Sequence, residues 1–388
     1  MKGKENMYQT GYTRRGFVKT MALGSAALAM PQYCFGETPK MDESFFIQPS
    51  ELSLEFRHPV AARKLSFQNF SGSPEDWKQR CREKLSELLG LSKPVFSRME
   101  TKRQIDHQGV RIKALVMHVN KRLSMPGYLL VPRKVNNFKQ AVIAIHGHGQ
   151  VEPSVGLLDD AHHGFALELA RAGHMVLCPE IRGFGSLRDL ASGTGGMGAG
   201  GSRLDYWISE KKRNYTLFTD ALLHGQTMIG QTIEDLLCWE SWLVQTKDIG
   251  TVDVAGLSYG GDLAFIYPVF SKRVRKIFAS GTLGSFSAIY TRCYNAPAHC
   301  IPGILNWMDR SDIAGLNAPR PITLHYGELD KPSETNYSAS YNETMEKSID
   351  ELREIYRAFG AENAVSLKVT PAKGHEMNNE ALKGFLSA

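Results

Sequence analysis

Several function classes find little support in this chain. Its six cysteines (Cys34, Cys81, Cys178, Cys238, Cys293 and Cys300) include no Cys-x-x-Cys pair. They are too few for a disulfide scaffold, and their spacing fits neither zinc nor redox chemistry. Cys178 ends an apolar segment and Cys238 lies in a helical one, where a thiol acts as a small buried hydrophobe. Cys293 and Cys300 flank a loop segment and are candidates to pair in an oxidising compartment. There is no long charged or low-complexity tract of the kind that keeps a chain disordered, and no apolar run long enough for a stable membrane span. Nucleic-acid binding is also disfavoured. The formal charge is +6, but Lys2, Lys4, Arg14, Arg15 and Lys19 against Glu5 put +4 of it before residue 30. The remainder, about +2, offers no basic face for a phosphate backbone.

That basic leader is itself a signal. Thr13-Arg14-Arg15-Gly16-Phe17-Val18-Lys19 precedes a modest apolar run, Met21 to Met30, which ends in Ala27-Leu28-Ala29. Paired arginines, a short apolar segment and a small-x-small site read as a twin-arginine export peptide over residues 1–29. The expected partner is the twin-arginine export machinery, and the expected location is periplasmic or secreted. Gln32-Tyr33 before Cys34 makes a poor lipid-attachment site.

Helical spacing of Trp77, Cys81, Leu85 and Leu88 predicts a helix over Pro74–Leu89. Residues 101–131 read as antiparallel strands, with Gly109–Val116 alternating polar and apolar and Pro126–Val131 following a turn. Strands are then expected at Ala141–Ile145, His174–Cys178, Val252–Ala255, Val274–Ala279, Pro321–Leu324 and Val365–Val369. Helices are expected between and after them at His162–Gly173, Leu217–Gln245, Thr335–Phe359 and Asn378–Leu386. Apolar strands alternating with helices imply an α/β fold with a mostly parallel sheet buried on both faces. The antiparallel strands ahead of it make the sheet mixed. The expected organisation is the leader, an N-terminal helical extension packing on the core (30–100), and one catalytic domain (101–388) with inserted loops around 185–215 and 284–315.

Gly256-Leu257-Ser258-Tyr259-Gly260-Gly261 ends an apolar strand and opens a helix-like segment. Glycines on both sides permit a sharp turn and close backbone contact, which projects the serine hydroxyl from the sheet edge. A serine needs a base to take its proton and a third group to orient that base. Two later strand ends supply candidates: Asp330, in the turn after Pro321–Tyr326, and His375, after Thr370 and Gly374. Glu328 competes with Asp330 for the acid role, and Glu180, at an earlier strand end, fits it less well. His325 precedes its turn and reads as a core histidine. Acyl transfer also needs donors for the developing oxyanion. The backbone N–H groups of Tyr259 and of His148, in His146-Gly147-His148-Gly149 after Ala141–Ile145, are the candidates.

With Pro179-Glu180-Ile181-Arg182-Gly183-Phe184-Gly185 and Gly374-His375-Glu376, these motifs resemble the α/β-hydrolase superfamily. The likeness is to its dienelactone hydrolase and acetyl xylan esterase-like branch, from about Phe45 to the C-terminus. Ser258…Asp330…His375 is that superfamily's chain order. The resemblance implies the α/β-hydrolase fold, a serine hydrolase without a cofactor, and an acyl or methyl ester on a carbohydrate as substrate. Acetyl xylan esterase relatives carry Arg-Gly-Gln and Gly-x-Ser-Gln-Gly-Gly where this chain has Phe184 and Tyr259, which leaves the ester open. Dienelactone hydrolases use a cysteine where this chain has Ser258. An exported peptidase or amidase with the same triad is the alternative.

Other features have simpler readings. Asp159-Asp160-Ala161-His162-His163 holds metal-capable side chains, but neighbours on a helix point apart, so no metal site is expected. Gly195–Gly201 reads as a loop or lid. Arg182, Tyr206, Trp207 and Trp307 are candidates for substrate binding, with loop buttressing (Arg182) and cap packing (the aromatics) as the alternatives.

Overall fold

In the computed structural model, residues 63–387 are described, except 94, 97, 120–122, 136, 188–216, 287–296 and 331–343. The leader, Cys293, Tyr206, Trp207 and Gly195–Gly201 lie outside the described residues.

Nine strands among the described residues form one sheet in the order β1-β2-β3-β5-β4-β6-β7-β8-β9. β1 (Arg98–His107), β2 (Val110–His118) and β3 (Ser124–Pro132) make an antiparallel meander, and β3 joins β5 (Met175–Pro179) antiparallel, with Tyr128 opposite Cys178. From β5 through β4 (Gln140–Ile145), β6 (Thr251–Leu257), β7 (Val274–Ser280), β8 (Ile322–Gly327) and β9 (Val365–Thr370), every pairing is parallel.

The two-residue alternation of strands divides the core between the sheet's faces. In β4, Ile143 and Ile145 pack into one apolar cluster, and Val142 and Ala144 into the other. The first cluster holds α1 (Pro74–Leu89), α3 (Met228–Lys247), α4 (Tyr259–Ile266), α5 (Arg310–Gly315) and α6 (Met345–Ala358). The second holds α2 (Phe165–Arg171) and α7 (Asn379–Ser387). α1 matches its expected bounds: Pro74 opens it, the Ser73 hydroxyl accepts from Asp76 N–H, and Gly90 closes it at φ 66°.

Three helices depart from expectation. The one expected over Thr335–Phe359 begins at Met345, behind a non-helical Thr344, and 335–343 lie outside the described residues. The stretch 217–245 is not continuous: residues 217–223 are helical, Gly225 turns at φ 70°, and α3 starts anew behind Thr227, whose hydroxyl accepts from Gly230 N–H. The helix expected from His162 begins at Phe165, because His163 and Gly164 adopt left-handed φ values of 49° and 58°.

The chain leaves β4 for β5 on one side and returns through β6 on the other. A crevice therefore opens between the carboxyl ends of β4 and β6, the position where open α/β sheets bind ligands. His146–Gly149 follows β4 and Ser258 follows β6. The two ends touch: a Cβ on Gly260 would lie 2.1 Å from Ile145 O and 2.5 Å from His146 O. Gly260→Ala is accordingly expected to cost about 1–3 kcal/mol, seen as a lowered Tm. Gly250→Ala, whose new methyl finds its nearest neighbour at 3.6 Å, should be close to neutral.

Candidate active site

Ser258 sits between β6 and α4 at φ 60° and ψ −122°, a conformation non-glycine residues seldom adopt. Close packing holds it there. A Cβ on Gly256 would lie 2.0 Å from Gly260 O, and Ser258 N–H donates to Ser280 O at 2.8 Å. Tyr259 is the first residue of α4, where a backbone N–H has no helical carbonyl to reach. The Tyr259 side chain is buried and its hydroxyl donates to Ala298 O.

His375 Nδ1–H donates to Asp330 Oδ2 at 2.8 Å, and His375 Nε2 has no partner among the described residues. Glu328 is turned elsewhere, accepting from Ala372 N–H at 2.9 Å. Glu180 accepts from the backbone and hydroxyl of Ser186. The histidine and the serine converge on one strand end: Ser280 O takes the Ser258 amide, and a Cβ on the next residue, Gly281, would meet His375 Cε1 at 2.8 Å and Nδ1 at 3.0 Å. Gly281, at φ 58°, is a site residue that motif reading passes over.

The loop after β4 completes the cluster. A Cβ on Gly147 would come within 3.0 Å of Ser258 Cβ, and among the described residues the His148 amide has no hydrogen-bond partner. The His148 ring stacks on His299 at 5.2 Å, meets Phe184 edge-on at 5.0 Å and lies 5.9 Å from Tyr259. Desolvation by the surrounding rings, and then the neighbouring His299 and His375, hold its imidazole down to about 3.

Behind α4 lies a second acid–histidine pair. Asp262 Oδ2 accepts from His299 Nδ1 at 2.6 Å, and its carboxylate also takes Arg310 and Thr282. Burial would raise the Asp262 carboxyl, but Arg310 and His299 outweigh it and hold it well below the usual range. This fully buried network ties α4 to α5, and no local pattern in the sequence announces it.

Two of the residues expected to bind substrate are occupied. Arg182 makes a bidentate pair with Asp235, at 2.7 and 3.0 Å, and also donates to Gln231, which buttresses the loop after β5 against α3. Trp307 is clasped by Lys64 and Lys84, 4.8 and 4.3 Å from its ring centre. His325 has the core role expected of it, with Nδ1 on Ser280 Oγ and Nε2 on Thr370 Oγ1, each at 2.8 Å.

Two buried histidines make the fold sensitive to acid. Burial is the largest cause holding His146 down to about 3 and His325 to about 4. Unfolded, each would take a proton near pH 6.5. Their contribution is therefore complete above about pH 6.5 and is lost as pH falls toward the folded values. Tm is expected to drop between pH 7 and 4.5, less steeply in His325→Asn; a level or rising Tm over that window contradicts this.

No family model matches the chain. A Bacillus subtilis (strain 168) protein named "Putative hydrolase YtaP" is 26% identical over 312 residues, covering 76% of this chain and 92% of its own length. Among solved structures, a "putative acetyl xylan esterase" from Bacteroides fragilis NCTC 9343 superposes with a TM-score of 0.63 at 16% identity, over 84% of this chain and 83% of its own. Methylesterase BT1017 gives 0.56 at 17% identity, over 87% and 67%. A glucuronoyl esterase from Solibacter usitatus gives 0.54 at 11% identity, over 86% and 98%. At such identities the likeness is one of architecture: a mixed, mostly parallel sheet flanked by helices, the α/β-hydrolase fold.

Proposed function

We propose that the protein is a serine carboxylic-ester hydrolase working through an acyl-enzyme, with Ser258 as nucleophile, His375 as base and Asp330 as the group that orients it. The observation that carries this reading is the 2.8 Å bond from His375 Nδ1 to Asp330, with Nε2 unpartnered among the described residues, next to the strand end that holds the Ser258 elbow. Ser258 Oγ attacks the ester carbonyl carbon as its proton passes to His375 Nε2. The carbonyl π pair moves onto oxygen, where the amides of Tyr259 and His148 receive it; each such donor is worth about 10²–10³ in rate. Collapse expels the alkoxide, which takes the proton from Nε2. Water then repeats the sequence on the acyl-enzyme and releases the acid. Asp330 keeps Nδ1 protonated and stabilises the imidazolium. No cofactor enters any step.

Acyl or methyl esters on carbohydrate are the proposed substrates. The support is the architecture shared with an acetyl xylan esterase-like protein, a methylesterase and a glucuronoyl esterase. The proposed location is periplasmic or secreted, reached through the twin-arginine machinery, and Arg14, Arg15 and the apolar run to Ala29 support it. Replacing Arg14 and Arg15 together by lysine is expected to leave the full-length protein in the cytoplasm; export at the wild-type level contradicts that route.

A panel of p-nitrophenyl esters, acetylated and methyl-esterified oligosaccharides and aminoacyl amides tests the activity. Ester turnover far above amide turnover is expected, with Ser258→Ala lowering kcat by about 10⁵–10⁶. Full ester hydrolysis by Ser258→Ala, or a preference for amides, overturns the reading. Gly281→Ala, which drives a methyl into the His375 ring, should lower kcat by about 10².

A further inference from the structure

Gly147 has no side chain to anchor it, yet it lies against the nucleophile, and the peptide that follows it carries the His148 amide. Two imidazoles grip its backbone. His162 Nε2 accepts from Gly147 N–H at 2.8 Å, and His146 Nδ1–H donates to Gly147 O at 2.8 Å. Each ring has its tautomer fixed by its other nitrogen: His162 Nδ1–H donates to Asp160 Oδ1 at 2.7 Å, and His146 Nε2 accepts from Ile181 N–H at 3.0 Å. Gly147 O and the His148 N–H belong to one peptide plane, so fixing the first sets the direction of the second.

The turn that carries His162 also reaches the other side of the site. Ala161 O accepts from Met377 N–H at 2.9 Å, His163 pairs with Glu376, and Asn379 Nδ2 donates to His163 O at 2.9 Å. Asp160–His163 thus braces both the loop after β4 and the loop that bears His375. His162 is 3% exposed, so its ring is built into the wall, while Asp160 holds it from the exposed side.

We propose that His162, oriented by Asp160, is a positioning residue for the oxyanion hole, holding the Gly147–His148 peptide so that the His148 amide meets the tetrahedral intermediate. This rests on the serine-esterase reading above. A donor held in place before reaction acts on the transition state more than on bound ester, so its loss lowers kcat and leaves KM nearly unchanged.

Three variants test this with p-nitrophenyl acetate and an aryl trifluoromethyl ketone, whose serine adduct carries the same oxyanion. His162→Phe removes the acceptor and should lower kcat by about 10–100-fold, with KM within about twofold and ketone affinity weakened in parallel. His162→Gln restores an acceptor near the Nε2 position and should recover most of both. Asp160→Asn leaves the buried ring in place and lowers kcat in the same sense, which decides the matter should His162→Phe fail to fold. The proposal is overturned by unchanged kcat and ketone affinity in the folded variants, or by equal losses for Phe and Gln. Wild-type protein that neither turns over esters nor reacts with a fluorophosphonate overturns the serine-esterase reading itself, and this proposal with it.

Discussion

Ser258 is held at φ 60° and ψ −122°, a conformation that costs an ordinary residue of order 1–3 kcal/mol. It persists because its surroundings leave no room for another. Gly256 and Gly260 allow the backbones on either side to touch, Gly260 lies against the end of β4, and Ser280 O takes the serine amide. Each of these contacts joins a different strand end to the elbow, so the strain at one residue draws β4, β6 and β7 together.

The reversal of strand order at β4 opens the crevice, and the neighbouring histidines divide the work around it. His146 and His162 have both ring nitrogens bonded, and their bonds settle on Gly147. His325 joins β7 to the end of β9. His375 differs: one nitrogen is fixed on Asp330, and the other is free of partners among the described residues and has glycine backbone beside its ring. That asymmetry is what the proposed base requires to exchange protons with a substrate, and the other rings give it a rigid frame.

Much of the fold is legible in the sequence, because it is written in local patterns. Trp77, Cys81 and Leu85 fall on one face of α1 and are buried there, and the apolar runs of β4 to β7 appear as strands within a residue or two of expectation. What resists reading depends on distant partners. The break at Gly225 goes with Thr227, which donates to Leu89 O at the end of α1. Arg182 stands at a strand end like a substrate ligand, but Asp235, 53 residues on, claims it. In the same way, Asp160 and His162 read as the start of a helix until Gly147 is seen against them. The residues proposed as catalytic belong to the legible group, since each follows a strand end. The residues that position them do not.

Peptide mapping by tandem mass spectrometry after treatment with a fluorophosphonate identifies the nucleophile directly. One covalent adduct is expected, on Ser258, formed rapidly by the folded protein and slowed severalfold or more in His375→Ala. An adduct on a different residue, or no adduct from a folded protein, would contradict the proposed role of Ser258.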